Sequence, residues 1–185
     1  MPLLALEPSI YPNTLFEETS WSPDCSERWW VLHTRPRAEK SLARQCVGRA
    51  LPFYLPLYHK KWRSGGRMQQ SHLPLFPGYV FLRGDDRVRE AALETNLVAH
   101  VIPVADQQQL HADLVRLYQL IDSDAAVTPE DRLAEGMPVR IMHGPLAGME
   151  GKVLRRDKNC RFFIEVRFLQ RSVSAEIESW MIEAL

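Results

Sequence analysis

The hydrophobic residues of this chain follow two different periods, and the change between them divides the sequence. From residue 135 to residue 185 the period is two, which is typical of half-buried β-strands. Turn residues at 143–145 and 157–159 separate these strands. Four or five short strands in this space close most easily as a small β-barrel. The alternating apolar positions are Val139, Ile141, Phe162, Ile164, Val166, Phe168, Val173, Ala175 and Ile177.

The sequence from residue 28 to residue 121 mixes strand and helix patterns in the order βαββαβα. The economical arrangement for this order is a four-stranded antiparallel sheet with two helices on one face, of the ferredoxin-like kind. We therefore predict an α+β protein, with a domain over 28–121, an acidic linker over 122–134 and an all-β domain over 135–185. The strands are predicted at 29–33, 53–58, 75–82 and 98–104, and the helices near 38–50, 87–95 and 110–121.

Charge is segregated along the chain although the whole sequence has no net charge. Residues 1–27 contain five acidic residues and no basic one, and their four prolines and lack of a sustained period predict a flexible acidic tail. Residues 28–121 contain 14 basic and seven acidic residues. This imbalance is typical of a surface that faces a polyanion, and a solvated basic face explains it about equally well.

The sequence has no feature that requires an enzyme, a metal site or a membrane. Its three cysteines, Cys25, Cys46 and Cys160, are far apart and form no CxxC, which favours a reducing cytosol over a disulfide framework or a thiolate zinc site. The six histidines have no metal-ligand spacing, and no nucleophile motif occurs. No window approaches the roughly 20 apolar residues of a membrane helix. We expect no catalytic residue, no metal and no cofactor, and a cytoplasmic location.

Two groups of cations are candidates for contact with nucleic acid. One lies at a predicted hairpin tip that also contains Trp62, and cations next to an aromatic ring suit phosphate neutralisation and base stacking. The other opens the first predicted helix, where free backbone N–H groups favour anions. A solvated hairpin tip explains the first group about as well. The cations are Lys60, Lys61, Arg63 and Arg67 at the tip, and Arg35, Arg37 and Lys40 at the helix.

Large apolar residues are unusually dense in the predicted sheet. They exceed what one face of a small sheet can bury, so part of the set could form a partner-binding pocket. Coverage of both faces by helices and tail is the alternative. The set comprises Trp29, Trp30, Leu75, Phe76, Tyr79 and Phe81.

Two runs of sequence resemble known domains. Residues 73–82 (LPLFPGYVFL), preceded by residues 29–40 (WWVLHTRPRAEK), are similar to the N-terminal (NGN) domain of the NusG family of transcription elongation factors. Residues 135–141 and 144–153 resemble the family's C-terminal KOW domain, which is an SH3-like barrel, and residues 168–173 continue that match. The resemblance covers residues 28–185 and leaves out only the first 27.

The resemblance implies partners and binding residues. The N-terminal domain would bind the clamp helices of RNA polymerase through a pocket formed by Phe76 and Tyr79, with Trp30 and His33 beside it. The cations Arg35, Arg37 and Lys40 would approach non-template DNA, and the hairpin tip would face the same region. The KOW domain would recruit Rho or a small-subunit ribosomal protein through a loop that contains Phe168, Leu169 and Arg171.

The resemblance also implies a non-enzymatic role in pausing and termination. The acidic tail and Leu169-Gln170-Arg171, where housekeeping members have Phe-Gly-Arg, favour a specialised antitermination paralogue with an RfaH-like role. An alternative is a free RNA-binding or ribosome-associated KOW module. Salt separates the two, because RNA binding through cations falls steeply with ionic strength and an apolar contact with polymerase does not.

Overall fold

The structure of the chain is a computed structural model. It describes residues 7–17, 26–64, 66–123, 127–130, 136–156, 159–177 and 181–185. By its internal contacts the chain divides into two compact units, residues 1–108 and 109–185. No helix in these described ranges is both long and apolar enough to cross a membrane.

The first unit combines antiparallel strands with two helices. Its described elements are β1 (Ile10–Tyr11), β2 (Arg28–Thr34), α1 (Glu39–Gly48), β3 (Phe53–Tyr54), β4 (Leu57–Ser64), β5 (Arg67–Pro74), β6 (Tyr79–Gly84), α2 (Asp86–Leu93) and β7 (Val98–Ile102). Five strands form one sheet in the order β1–β3–β6–β2–β7, and β4 pairs with β5 as a separate hairpin. All of these pairings are antiparallel.

Both helices of this unit contribute to one hydrophobic core. Leu32 of β2 and Leu82 of β6 are fully buried in a cluster with Leu42 and Cys46 of α1 and Ala92 of α2. Full burial of a leucine side chain contributes about 1.5–3 kcal/mol. The prediction of two helices on one face of an antiparallel sheet is therefore confirmed.

The predicted second strand is divided in the structure. Pro56 lacks a backbone N–H and separates the short β3 from β4. β3 stays in the main sheet, where it pairs with β6, whereas β4 continues into the hairpin with β5. The backbone N–H of Leu75 donates to the carbonyl of Pro56 at 2.8 Å and joins the base of the hairpin to this bend.

The prediction of a flexible tail over residues 1–27 is wrong for residues 7–17. β1 adds to the sheet next to β3, and the backbone N–H of Leu55 donates to the carbonyl of Ser9 at 2.6 Å. Leu15 and Phe16 are 5% and 7% exposed, and Phe16 stacks on Trp29. The apolar residues of this segment cover the sheet, and an acidic, proline-rich composition concealed them.

The second unit is dominated by one antiparallel sheet. Its described elements are α3 (Gln107–Asp122), which starts just before the unit boundary, β8 (Val127–Glu130), β9 (Met137–Ile141), β10 (Glu150–Arg156), β11 (Asn159–Val166), a 3-10 turn (Arg167–Leu169), β12 (Arg171–Ile177) and β13 (Ile182–Ala184). The strand order is β13–β9–β10–β11–β12–β8. Among the strands that the structure describes, no pairing joins β8 to β13, so the predicted closure into a barrel is not confirmed.

Two boundaries differ from those expected. β8 lies within the predicted linker and pairs with β12, so residues 127–130 are part of the sheet. Sequence analysis also places α3 at the end of the first domain, whereas contacts group the chain from residue 109 with the second unit. The helical period of α3 is evident in the sequence, but it carries no information about which unit the helix joins.

Candidate functional site

The segment between β5 and β6 is a tight turn that positions several aromatic residues. Leu75 and Phe76 are 1% exposed at its start, and the backbone N–H of Tyr79 donates to the carbonyl of Phe76 at 3.1 Å. Gly78 has φ +86°, a conformation that side-chain-bearing residues rarely adopt. Its carbonyl accepts a hydrogen bond from the backbone N–H of Thr34 at 2.8 Å. The turn is thereby attached to the end of β2.

A group of three rings lies beside this turn at the end of the sheet. His33 of β2 is paired with Tyr79 of β6 on one side and with His100 of β7 on the other. The His33 ring lies 5.3 Å from the Tyr79 ring and 6.1 Å from the His100 ring. His33 and Tyr79 are half-buried and His100 is exposed. We name His33, Tyr79 and His100 the ring patch.

The four residues predicted to form one pocket are not all together. His33 and Tyr79 are in contact, and Phe76 lies in the core below, with its ring 6.3 Å from that of Phe81. Trp30 is an odd number of residues from His33 along β2, so it lies on the opposite face of the sheet. There it packs against the cluster that includes α1 and α2.

The surroundings of Trp30 are polar at its edge and cationic at its ring. Its indole N–H donates to the carbonyl of Gly84 at 3.1 Å. The guanidinium groups of Arg28 and Arg89 lie 5.1 and 5.2 Å from the ring centroid. These are cation–π distances, and they give Trp30 a structural role on the helix-covered face.

The predicted nucleic-acid-facing cations are exposed or half-buried where their side chains are described. Arg35, Arg37, Lys60 and Arg63 are exposed and Lys40 is half-buried. In the described part of the chain none of these five has an ion-pair partner, although arginines elsewhere do, as Arg44 does with Glu7 at 2.7 Å. The side chains of Lys61 and Arg67 lie outside the described residues.

Lys40 connects the two cation groups electrostatically. His59 and His72 are directly opposite each other in the β4–β5 hairpin, and their rings stack at 4.8 Å. Burial, His59 and Lys40 together lower the pKa of His72 below its usual value. The positive charge of Lys40 on α1 therefore contributes to the electrostatic environment of His72 in the hairpin.

The loop predicted to bind a second partner lies after β11. Phe168 and Leu169 belong to the 3-10 turn, Arg171 begins β12, and all three side chains are half-buried. Gln170 between them has φ +53°. The structure therefore brings these three residues together at one corner of the second sheet.

A buried carboxylate of α3 contacts this corner. Asp113 is 1% exposed, accepts a hydrogen bond from the backbone N–H of Arg167 at 3.1 Å and accepts another from the amide of Gln109 at 2.7 Å. Burial raises the pKa of Asp113, and the hydrogen bonds from the Arg167 backbone and the Gln109 amide, together with the positive charges of Arg116 and Arg167, oppose that rise. Sequence reasoning missed this residue because nothing in the helical pattern marks one carboxylate as buried.

Glu39 is a second acidic residue that sequence reasoning missed. It is 7% exposed, and its Oε1 accepts a hydrogen bond from the backbone N–H of Gly78 at 2.7 Å. Within the described ranges no three histidine, cysteine or acidic side chains are close enough to hold a metal ion. The arrangement offers binding surfaces: an aromatic patch, unpaired cations and a loop.

Comparison with known proteins identifies the first of these regions. Residues 27–115 match the sequence model of the family described as "NusG: Transcription termination factor nusG". Residues 27–115 therefore form a segment of the NusG-family type. The matched segment contains the ring patch, the turn at Gly78 and all seven cations, so the prediction of this family from residues 29–40 and 73–82 is confirmed.

Two further comparisons add no functional detail. None of the curated proteins compared with the chain matches it. A solved structure titled "Crystal Structure of MjSpt4:Spt5 complex conformation B" is 17% identical, with 85% of this chain and 96% of that chain covered. Its TM-score is 0.27, so the family assignment depends on residues 27–115.

Proposed function

We propose that this protein is a transcription elongation factor that binds RNA polymerase through its N-terminal domain and promotes antitermination. The observation that carries the proposal is the family match over residues 27–115. NusG-family transcription factors are generally not enzymes, so the effect on transcription would come from binding alone. A factor that binds the closed polymerase clamp more tightly than the open one shifts the clamp equilibrium by its difference in affinity.

The proposed polymerase contact is centred on His33 and Tyr79. Their half-buried rings, together with exposed His100, offer an aromatic surface with polar edges, which suits a protein partner. Phe76 would support this surface from the core rather than contact the partner itself. Trp30 would contribute through the stability of the opposite face.

The unpaired cations are proposed to face non-template DNA. Each one that neutralises a phosphate releases counterions and adds to affinity without sequence preference. We propose that both groups serve the same strand, and the influence of Lys40 on the pKa of His72 in the hairpin is consistent with this. This contact would orient the factor next to the polymerase, as phosphate contacts generally do.

The second unit is proposed to be an SH3-like KOW barrel that recruits a second partner. Phe168, Leu169 and Arg171 supply apolar surface and a cation at one corner of its sheet. Rho and a small-subunit ribosomal protein are the two candidate partners. An RfaH-like specialised role, acting in the cytoplasm, remains part of this proposal.

Single-round transcription with purified RNA polymerase tests the function. The template carries one pause and one terminator, and the protein is added at rising concentration. We expect shorter pauses and more read-through. Polymerase binding without any change in pausing or termination would refute antitermination, and no binding at all would refute the polymerase assignment.

Matched tyrosine variants test the location of the contact. Tyr79→Ala should weaken polymerase binding by tenfold or more, which corresponds to the loss of an aromatic anchor. Tyr118→Ala, which removes another half-buried tyrosine on α3, should leave the affinity unchanged. Equal affinities for the two variants would remove the ring patch from the interface.

Salt dependence tests the alternative of a free RNA-binding module. If naked RNA is the ligand, its affinity should fall steeply with salt, and Lys60→Ala with Arg63→Ala should reduce the slope of log affinity against log salt by roughly 0.7 for each lost contact. If polymerase is the partner, its affinity should depend far less on salt. High RNA affinity without polymerase binding would favour the alternative.

A further inference from the structure

Glu39 is a buried acidic side chain for which the described residues provide no ion-pair partner. It lies in the first turn of α1, and its neighbours in the sequence include the exposed Arg37 and the half-buried Lys40. In the described part of the chain, neither of these cations forms an ion pair with the Glu39 carboxylate. Burial of an unpaired carboxylate is costly unless hydrogen bonds replace its water. The hydrogen bond from the Gly78 backbone N–H at 2.7 Å supplies one such replacement. The positive end of the helix dipole at the start of α1 is a further favourable environment for a carboxylate.

Gly78 is held on both sides by these contacts. Its N–H donates to Glu39 and its carbonyl accepts from Thr34. A side chain at this position would lie 3.4 Å from His33 Nε2, and the positive φ excludes most other residues. The turn therefore has little freedom as long as Glu39 accepts its hydrogen bond.

Tyr79 follows Gly78 directly, so the direction of the turn determines where its ring lies. That ring is in contact with His33, 5.3 Å away. Without the Glu39 contact, the Gly78 N–H would need another acceptor, and the turn could sample orientations that separate the two rings. A binding surface that is ordered beforehand loses less conformational entropy on association.

We infer that Glu39 is a positioning residue that holds the Gly78 turn and thereby pre-arranges His33 and Tyr79 for the partner. The inference rests on the proposed polymerase contact. It also connects two functional surfaces, because the same first turn of α1 carries Lys40 and follows Arg35 and Arg37. The structural role of this acidic residue in a basic segment is then to accept the hydrogen bond from the Gly78 N–H.

The test compares two substitutions with different hydrogen-bonding capacity. Glu39→Gln keeps a side-chain oxygen that can accept from the Gly78 N–H, whereas Glu39→Ala removes it. In a polymerase titration with the full chain, we expect E39A to weaken binding about tenfold and E39Q to stay within about threefold of the original protein. Glu94→Ala is the control, because it removes an exposed acid that pairs with Arg49, and it should leave binding unchanged.

A double substitution separates positioning from general stability. If Glu39 acts through Tyr79, E39A should change the affinity little in a protein that already carries Tyr79→Ala. If E39A weakens binding equally with and without Tyr79, the inference is wrong. It is also wrong if E39A binds as tightly as the original protein.

Nuclear magnetic resonance spectra of the same variants test the contact independently of polymerase. E39A should shift the Gly78 amide proton and weaken the ring-to-ring signals between His33 and Tyr79, and E39Q should largely retain them. If the original protein does not bind polymerase, the proposed function fails, and these spectra alone decide the positioning role. Unchanged His33–Tyr79 signals in E39A would overturn it.

Discussion

Phe16→Ala tests whether the N-terminal segment is part of the folded protein. Phe16 stacks on Trp29 with ring centroids 5.9 Å apart and meets the edge of Tyr54 at 5.1 Å. It is 7% exposed. Nearby, the carbonyl of Leu15 accepts a hydrogen bond from Arg83 at 3.2 Å. The substitution removes one buried ring and leaves the backbone contacts in place.

The expected loss follows from the burial of this ring. Replacement of a buried phenylalanine by alanine costs about 3–5 kcal/mol, which includes about 0.5–1.5 kcal/mol for each aromatic pair. The segment that carries Phe16 joins the sheet through a strand of only two residues, so its total docking free energy limits the loss. We therefore expect a loss at the lower end, about 3 kcal/mol. Thr14→Ala, which changes an exposed side chain in the same segment, should cost less than about 0.5 kcal/mol.

Urea denaturation followed by tryptophan fluorescence measures the difference. Four of the five tryptophans lie in the first unit, so the signal reports mainly on its unfolding. With a slope of about 1–2 kcal/mol per molar urea, the midpoint for F16A should fall by about 1.5–3 M. Hydrogen exchange of the Leu55 amide, which donates to Ser9, should accelerate as well. A midpoint and exchange rate for F16A equal to those for T14A would refute the docked segment.

Four further outcomes are expected from single sites. Gly151→Ala should destabilise the second unit by about 1–3 kcal/mol, because a Cβ there would lie 2.5 Å from the carbonyl oxygen of Phe163. Gly48→Ala should stabilise the protein by up to about 1 kcal/mol, because the space around this residue at the end of α1 is open. Urea denaturation midpoints check both. The pKa of His72 is lowered in the folded state, so the unfolded chain binds more protons at low pH. The contribution of His72 to stability should therefore be retained above about pH 6.5 and fall as the pH decreases below it. A plot of urea midpoint against pH should be flatter for His72→Gln, and an unchanged plot would contradict this. Burial raises the pKa of the Cys46 thiol to about 12, so iodoacetamide at pH 8 should modify Cys46 only after urea is added, as peptide mass spectrometry would show.

Local sequence patterns predicted the secondary structure type better than the pairing of strands. The helical spacing around Leu42 and the period of two after residue 135 correspond to α1 and to the second sheet. Both patterns depend on near neighbours, which a sequence displays directly. The N-terminal strand and β8 were missed, because strands of two and four residues are too short to establish a period.

The candidate site was predictable as a region but not as a set of contacts. The runs at 29–40 and 73–82 were sufficient to identify the family, which the match over 27–115 confirms. The sequence could not indicate which of two adjacent tryptophans faces the helices, because Trp29 and Trp30 fit either face equally well. The odd spacing of Trp30 and His33 along β2 places them on opposite faces, whereas His100 joins His33 through a strand pairing that no local pattern encodes.

The sequence by itself determined the family, the kinds of secondary structure and the concentration of positive charge before residue 122, since each of these depends on residue identity and short spacing. Only the tertiary structure decided which distant groups meet. Glu39 and the N–H of Gly78 are 39 residues apart, and Phe16 reaches Trp29 only because β1 pairs at the sheet edge. Such contacts depend on how the whole sheet aligns its strands, and alignment is fixed by the combined burial of many side chains rather than by any one motif.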